Sequence, residues 1–162
     1  MSVINLDIEE KNWISLKSFD EWCCLFEKLF NSTTTITTIC SDRLYSINVL
    51  LSNNECIQKI NKQFRNINSP TNVLSFPQYS KKDLKTLKNA LLGDIVLSYN
   101  SIDSEALAFQ KDFCDRISHL FVHGVLHTLG FTHDTKYQRS KMERLEAKIL
   151  KEFNIKDLYL YS

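Results

Sequence analysis

The 162-residue sequence predicts an α+β fold in which a small mixed β-sheet of about four strands packs against helices. Three observations lead to this prediction. Segments with the alternation typical of strands are interspersed with segments of helical periodicity. Apolar residues make up 43% of the chain, which is ordinary for a globular protein. No repeat, low-complexity tract or Gly/Ser-rich linker divides the sequence, so residues 1–162 are expected to form a single domain.

The first part of the chain contains two predicted strands and two predicted helices. Residues 3–8 (VINLDI) alternate and predict an edge strand. Ser18 and Glu21 match the pattern of a capping box, which predicts that a helix begins directly after the serine. Residues 43–52 alternate and predict a strand. Residues 53–64 have apolar residues at helical spacing behind an asparagine cap, which predicts a second helix.

The second part of the chain continues with the same mixture of elements. Residues 71–77 predict a short strand that ends at a proline, and residues 93–98 predict a buried strand. Residues 101–110 are expected to be helical. A further helix is predicted from the cap Asp112 to about Leu129, and residues 134–153 form the pattern of a last amphipathic helix.

Charge, apolar runs and cysteines restrict the classes of protein that the chain can belong to. The formal net charge is only +1, so a nucleic-acid site would have to be a local positive patch. The apolar runs are too short for a membrane span, and the N-terminus lacks the pattern of a secretory signal. The five cysteines form no CxxC pair, which favours reduced, mostly buried thiols in a cytoplasmic protein.

The stretch HGVLHTLGFTHD contains three of the four histidines of the chain. His123 and His127 are four residues apart, which places both on one face of a helix. His133 lies beyond that helix, so the chain must turn to bring the third ring to the same point. Gly130 is the residue that can end the helix in the left-handed conformation. The spacing therefore predicts a helix, a glycine stop and a return of the chain.

Three neutral imidazoles that converge form the ligand set of a catalytic zinc ion with one coordination position open. We therefore predict that one Zn²⁺ per chain binds to His123, His127 and His133. The spacing matches the metal helix of the metzincins, H-E-x-x-H-x-x-G-x-x-H, except that Gly124 replaces the glutamate that acts as general base. His119 is expected to pack or hydrogen-bond near the site, because a fourth protein ligand would close the open position.

Four segments of the chain carry longer motifs, which are INKQFRNINSPTNVLSFP (60–77), LLGDIVLS (91–98), HGVLHTLGFTH (123–133) and MERLEAKILKEFNIKDLY (142–159). In the same order they resemble L-N-x-x-Y-R … T-D-V-L-S-F-P, L-G-D-I-V-I-S, H-G-x-L-H-x-x-G-Y-D-H and M-x-x-L-E-x-x-I-L. These are the motifs of the bacterial metal-dependent endoribonucleases of rRNA maturation called YbeY. The resemblance covers roughly residues 43–160.

The resemblance implies a single-strand-specific, zinc-dependent endoribonuclease that hydrolyses RNA phosphodiesters. It implies a role in the maturation of the 16S rRNA 3′ end and in ribosome quality control. The implied partners are an rRNA precursor, the 30S ribosomal subunit and its assembly proteins, in the cytoplasm and without a membrane. Neither the resemblance nor the residues predict an oligomeric state.

Arg65 is the candidate catalytic residue, because the resemblance implies an essential arginine at this place. A fixed guanidinium would stabilise the negative charge that develops on the phosphate oxygens, and it would also bind the RNA. Lys81, Lys82 and Lys85 lie in the segment KKDLKTLKN, which we interpret as a mobile positive flap that contacts the RNA backbone. A solvated loop without contact to RNA is an equally good interpretation of these lysines.

The chain departs from the family motifs at Asn72 in place of aspartate, Phe131 and Thr132 in place of Tyr-Asp, and Asn154 in place of a common glycine. The missing acid before the third histidine would weaken the support of a metal ligand, and Asp134 is the residue that could compensate.

Two other functions stay open. Zinc could only stabilise a non-catalytic ribosome-assembly factor, or the site could belong to another zinc hydrolase such as a protease. Gly124 in the position of the base argues against proteolysis. A metal ion held by three histidines lowers the pKa of its bound water to about 7, so hydrolysis needs no dedicated base.

Overall fold

The computed structural model describes residues 3–37 and 42–156 and has the predicted α+β architecture. Its four strands are β1 (Val3–Ile8), β2 (Leu44–Ser52), β3 (Val73–Pro77) and β4 (Asn89–Ser98). They form one sheet in the order β1-β2-β4-β3. The pairs β1–β2 and β2–β4 are parallel and β3–β4 is antiparallel, so the sheet is mixed. The prediction of β1 as an edge strand is confirmed.

Seven helices surround the sheet in the described part of the chain: α1 (Lys11–Leu16), α2 (Phe19–Thr37), α3 (Asn54–Arg65), α4 (Lys81–Leu84), α5 (Tyr99–Ala108), α6 (Phe113–Thr128) and α7 (Lys136–Lys151). Helices α1 and α4 were not predicted, because helices of six and four residues are too short to show a periodicity. The strand predicted at 93–98 begins earlier, at Asn89, since its first residues pair with the start of β2. None of the described helices is long and apolar enough to cross a bilayer.

The predicted caps are present at the atomic level. The backbone N–H of Ser18 donates to Glu21 Oε2 at 2.7 Å, and the N–H of Glu21 donates to Ser18 Oγ at 3.3 Å. The side chains of Asn53 and Asp112 accept from backbone N–H groups in the first turns of α3 and α6. These reciprocal bonds satisfy donors that have no partner within the helix, which is why the three helices begin where the sequence predicts.

The two faces of the sheet are covered differently. Helices α2 and α6 pack on one face and bury the main core, which includes Ile47, Ile95 and Phe121. Helix α3 covers part of the other face, where a small cluster contains Ile57, Leu74 and Val96. The alternation of burial along β2 and β4 follows from this arrangement, because successive side chains point to opposite faces of a sheet.

The expectation of mostly buried thiols is wrong for the described cysteines. Cys23, Cys24, Cys56 and Cys114 are all free, but Cys24 is exposed and the other three are partly exposed. The two adjacent cysteines lie away from the buried face of α2, which is formed by larger side chains such as Trp22 and Phe26. Cys40 lies outside the described residues, as does the end of the fourth sequence motif.

Candidate metal centre

Helix α6 carries two of the predicted ligands, His123 and His127, one turn apart. The residue between them in the motif, Gly124, faces the sheet. A Cβ atom at this position would lie 3.1 Å from Ile95 Cδ1, so the glycine allows a close approach of α6 to β4. Packing against the sheet therefore explains why this position holds no side chain, whereas the metzincin pattern has a glutamate there.

Gly130 ends the helix in the way that the sequence predicts. Its φ is +87°, which is favourable only for glycine. The N–H of Gly130 donates to the carbonyl of His127 and the N–H of Phe131 donates to that of Leu126, both at 3.0 Å. This pair of bonds is a Schellman motif. Phe131 then packs against the main core and the chain returns toward α6 with His133.

The turn brings the three histidines together. One ring nitrogen from each of His123, His127 and His133 lies within 4.8 Å of the other two. The ring centroids of His123 and His127 are 4.6 Å apart, and those of His127 and His133 are 4.9 Å apart. The first two rings are partly buried and the third is exposed, so the cluster opens to solvent on one side.

Hydrogen bonds fix the orientation of two of the rings. His123 Nδ1 lies 2.6 Å from Glu146 Oε1, and His127 Nδ1 lies 3.0 Å from the carbonyl oxygen of Phe131. Both partners are acceptors, so each Nδ1 donates its proton, and in the neutral form of each ring Nε2 carries the lone pair. The two Nε2 atoms are nevertheless only 3.0 Å apart.

Two lone pairs that face each other at this distance repel unless a proton or a metal ion lies between them. Two ligands of a tetrahedral zinc ion lie about 3.3 Å apart, which is close to the observed separation. The donor set and its tautomers therefore fit a divalent metal ion bound by His123, His127 and His133. Burial, followed by the charges of the other two histidines, lowers the pKa of His127 to about 4, so this ring stays neutral near pH 7.

Glu146 on α7 connects the cluster to a fourth histidine. It is only 2% exposed, and its two oxygens accept from His123 Nδ1 and from His119 Nε2, the latter at 2.9 Å. Burial alone raises the pKa of Glu146, but the hydrogen bonds from His119 and His123 outweigh it and lower the pKa to about 2. The ionised carboxylate holds the ring of His123, as carboxylates commonly do for metal-binding histidines. His119 thus lies beside the trio without joining it.

A chain of polar contacts extends from His119 toward the sheet. Arg116 lies 3.4 Å from His119 Nδ1 and donates two bonds to Glu105 Oε2, at 2.7 and 2.9 Å. The side-chain amide of Asn72 donates to the other oxygen of Glu105 at 2.9 Å. Asn72 therefore makes a contact that an aspartate could not make to Glu105, since a carboxylate has no N–H to donate.

A cavity of about 520 Å³ adjoins the histidines and is lined by Asn72, Val73, Arg116, His119, Leu120, His123, His133, Arg139, Met142, Glu143 and Glu146. We call it the metal cavity. Arg139 and Glu143 were not predicted as site residues. Both project from α7, and only their position relative to α6 shows that they reach the site. They provide a guanidinium and a carboxylate at the opening of the metal cavity.

A family model described as Endoribonuclease YbeY matches residues 7–154 of the chain. The chain belongs to the YbeY family. It is 38% identical to the Endoribonuclease YbeY of Bartonella bacilliformis over 164 aligned positions, which cover 98% of each protein. It is 30% identical to that of Sinorhizobium fredii, over 96% of this chain and 91% of the relative. A solution structure from Thermotoga maritima shares the fold, with a TM-score of 0.57, 21% identity and coverage of 95% of this chain and 92% of the other.

Arg65, the candidate catalytic residue, is not among the residues that line the metal cavity. Arg65 is the last residue of α3, and its Nη2 donates to the backbone carbonyl of Ser75 at 3.0 Å. Its guanidinium also lies 5.5 Å from the ring centroid of Phe76. Arg65 is thus attached to the edge strand β3 at Ser75. Ser75 lies two positions beyond Val73, which lines the metal cavity. Its role in catalysis stays a prediction.

The three lysines do not occupy a free loop. Lys81 and Lys82 lie in the capped helix α4, and the helix is attached to the core by Leu84, which is 4% exposed. Lys81 and Lys85 face a second cavity together, whereas Lys82 does not line it. A contact of these lysines with RNA stays a prediction, but it would be made by a fixed element.

Besides Asn72, the departure from the YbeY motifs at Asn154 has a structural account. Asn154 has a φ of +60°, a conformation that asparagine tolerates better than other non-glycine residues, so it can replace the common glycine. Asp134 is exposed, directly after the third histidine. Glu146, rather than a residue next to His133, supplies the buried carboxylate of this site.

Proposed function

We propose that this protein is a metal-dependent endoribonuclease that hydrolyses single-stranded RNA. The observation that carries the proposal is the pair of Nε2 lone pairs of His123 and His127, 3.0 Å apart, with His133 beside them at the metal cavity. The YbeY family, whose members are named endoribonucleases, supports RNA as the substrate. The geometry alone would fit other metal-dependent hydrolases.

Each residue of the site has a distinct task in this reaction. His123, His127 and His133 would hold the ion, and Glu146 would keep the Nε2 atom of His123 directed at it. A bound divalent ion supplies Lewis-acid chemistry that activates water and polarises the phosphodiester. Glu143 lines the same cavity and can accept a proton, a task for which position 124 offers no side chain.

Two arginines are candidates to stabilise the charge on the phosphate oxygens. Arg139 lines the metal cavity directly. Arg65 would reach the substrate only where the RNA crosses the edge strand β3, and we retain it as the candidate that the family motif implies. Lys81, Lys82 and Lys85 would contact the RNA backbone farther along the strand.

The finer parts of the proposal rest on the family resemblance and the donor set. Three histidines suit zinc, one ion per chain. The rRNA precursor and its 16S 3′ end are the proposed substrate, and the 30S subunit and its assembly proteins are the proposed partners. Ribosome quality control and a cytoplasmic location belong to the same proposal.

The test is RNA cleavage by rigorously purified protein with its metal content measured on the same samples. The wild type, His133→Ala, Arg65→Ala and Arg65→Lys are compared on a labelled single-stranded RNA, with a casein digest beside them. We expect chelator-sensitive cleavage of RNA, no digestion of casein, and a loss of at least about 100-fold in His133→Ala.

Folded His133→Ala with unchanged RNA cleavage would contradict the proposal. A metal-loaded wild type that leaves every tested RNA intact would favour the assembly-factor interpretation. Full activity of Arg65→Lys would exclude a two-bond contact from Arg65 to the phosphate, because lysine keeps the charge without the planar fork.

A further inference from the structure

A second cavity lies on the opposite side of the Gly130–Phe131 turn from the metal cavity. Its volume is about 700 Å³, and it is lined by Ile36, Thr37, Arg43, Tyr45, Lys81, Leu84, Lys85, Leu129, Phe131, Lys141 and Leu145. We call it the basic cavity. Four of its eleven lining residues are lysine or arginine, and none of these described residues is acidic. The remaining surface is mainly aliphatic and aromatic.

The cationic groups are held at the cavity by packing. Lys81 Nζ lies 4.2 Å from the ring centroid of Phe131, and Lys141 Nζ lies 5.7 Å from the same centroid. The two ammonium groups come from different helices, α4 and α7, and both lie near one aromatic ring. Arg43 donates to the carbonyl oxygens of Leu84 and Lys85, at 2.9 and 2.7 Å, so it is fixed at the rim.

The charged side chains that line the basic cavity are all positive. Partial burial lowers the pKa of Lys81, and the charges of Lys141 and Lys85 lower it further. No acid opposes this effect among the described groups that act on Lys81. Cations brought together in this way repel one another, and an anion between them would remove the repulsion.

The basic cavity shares two walls with the metal cavity. The first is the turn itself, since the carbonyl of Phe131 accepts the bond from His127 Nδ1 and a Cβ at Gly130 would lie 2.6 Å from Lys81 Cβ. The second is α7, which presents Lys141 to the basic cavity and Glu143 to the metal cavity. Phe131 lines the basic cavity, and His133, two positions later, lines the metal cavity. The Cα atoms of these two residues are at most about 7 Å apart.

We propose that the basic cavity binds a phosphate group of single-stranded RNA that extends past the metal cavity, with Lys81 and Lys141 as its main contacts. The identification of RNA as the ligand rests on the proposed function. The preference for an anion follows from the charges of the basic cavity alone. Lys85 and Arg43 add charge at the rim, and the aliphatic floor at Leu84 and Leu145 accommodates a sugar or base.

The test compares two double variants that lose the same amount of positive charge. Lys81→Gln/Lys141→Gln removes the two ammonium groups of the cavity, and Lys148→Gln/Lys151→Gln removes two lysines at the end of α7 that do not line it. The metal-loaded full chain is titrated against a fluorescein-labelled single-stranded RNA on ice, and a gel confirms that the RNA stays intact. Binding is measured over a range of salt concentrations.

We expect the cavity variant to bind the RNA about tenfold more weakly and its salt slope to fall by about 0.7, the value for one lost phosphate contact on a single strand. The control variant should stay within about twofold of the wild type. Equal binding by the cavity variant, or an equal loss in the control, would overturn the inference. A wild type without affinity for RNA would overturn it as well.

Cleavage measured on the same samples separates this inference from the proposed function. A wild type that binds RNA but never cleaves it would refute the proposed endoribonuclease activity. The comparison of the two variants would still show whether the basic cavity binds RNA. A wild type that cleaves RNA, with the cavity variant binding and cleaving equally well, would refute the cavity alone.

Discussion

The two sides of the Gly130–Phe131 turn differ in how they hold their functional groups. On the metal side, each ring of the helix pair has its Nδ1 bound to one defined acceptor, a carboxylate for His123 and a carbonyl for His127. On the basic side, Lys81 and Lys141 are held over the ring of Phe131 without a charged partner among the residues that line the cavity. Directed bonds define the first site and packing defines the second.

This difference corresponds to two different requirements. A metal ion requires ligand atoms placed to within a fraction of an ångström, which only directed hydrogen bonds and a fixed turn can provide. A nucleic-acid backbone requires positive charge over a broad surface, and flexible ammonium groups are sufficient for that. The chemical step would therefore depend on the metal side, whereas the affinity for RNA would depend on the basic side.

Glu146 should show the largest effect on the metal side. Glu146→Ala is expected to weaken zinc binding about 10- to 100-fold, because His123 loses the acceptor that fixes its tautomer and orientation. Glu146→Gln should lie between this variant and the wild type, since its amide oxygen can still accept one bond. Competition with a coloured chelator measures the affinity.

The matched control is Glu143→Gln. Among the described residues, this carboxylate of the metal cavity makes no hydrogen bond to the three histidines, so its loss should leave zinc affinity within about twofold. Thermal unfolding of the metal-free variants separates loss of metal from loss of fold. Zinc affinity of folded Glu146→Ala equal to that of the wild type would show that the buried carboxylate does not position the ligand.

Gly130 belongs to both sides of the comparison. Gly130→Ala is expected to destabilise the fold by about 2 kcal/mol, because alanine is strained at a positive φ and its Cβ would meet Lys81 Cβ. The variant should weaken both zinc and RNA binding. At Gly124→Ala the added Cβ would lie 3.1 Å from Ile95 Cδ1, a tight contact that the helix propensity of alanine partly offsets, so the variant should cost less than about 1 kcal/mol.

Denaturant unfolding and the two binding assays measure these effects. If Gly130→Ala weakened only zinc binding, the coupling of the basic cavity to the turn would be refuted.

Arg139 should show the smallest of the three effects. Arg139→Gln is expected to lower kcat/KM for RNA about tenfold, because its guanidinium lines the metal cavity where the phosphate would bind. Arg144→Gln is the control, since Arg144 lies on the same helix and donates to the carbonyl of Ser140 instead. Equal rates for the wild type and Arg139→Gln would leave Arg65 as the remaining candidate for the phosphate.

The residues that could be predicted from the sequence are those whose relationship is local. His123, His127 and Gly130 belong to one helix and its end, so the spacing alone places them. The caps of α2, α3 and α6 were predictable for the same reason. His133 joins these residues only because the chain folds back after the helix, and Gly130 indicated the position of that turn.

The residues that could not be predicted come from distant segments. Glu146 reaches His123 across 23 positions, and its motif gave no sign of a hydrogen bond to a ligand. Lys81 and Lys141 lie on helices that meet only because α4 packs on the metal turn. The position of Arg65 outside the lining of the metal cavity depends on strand order, and a linear motif does not contain that information.

The central claim is that one ion held by the three histidines gives the protein its activity on RNA. Titration of metal-free protein with zinc, with the rate of single-stranded RNA cleavage recorded at each addition, tests it most directly. The rate should rise from the background in proportion to the zinc added and reach its maximum at about one ion per chain. Cleavage by the metal-free protein at the full rate, or a rate unrelated to the bound zinc, would contradict the claim.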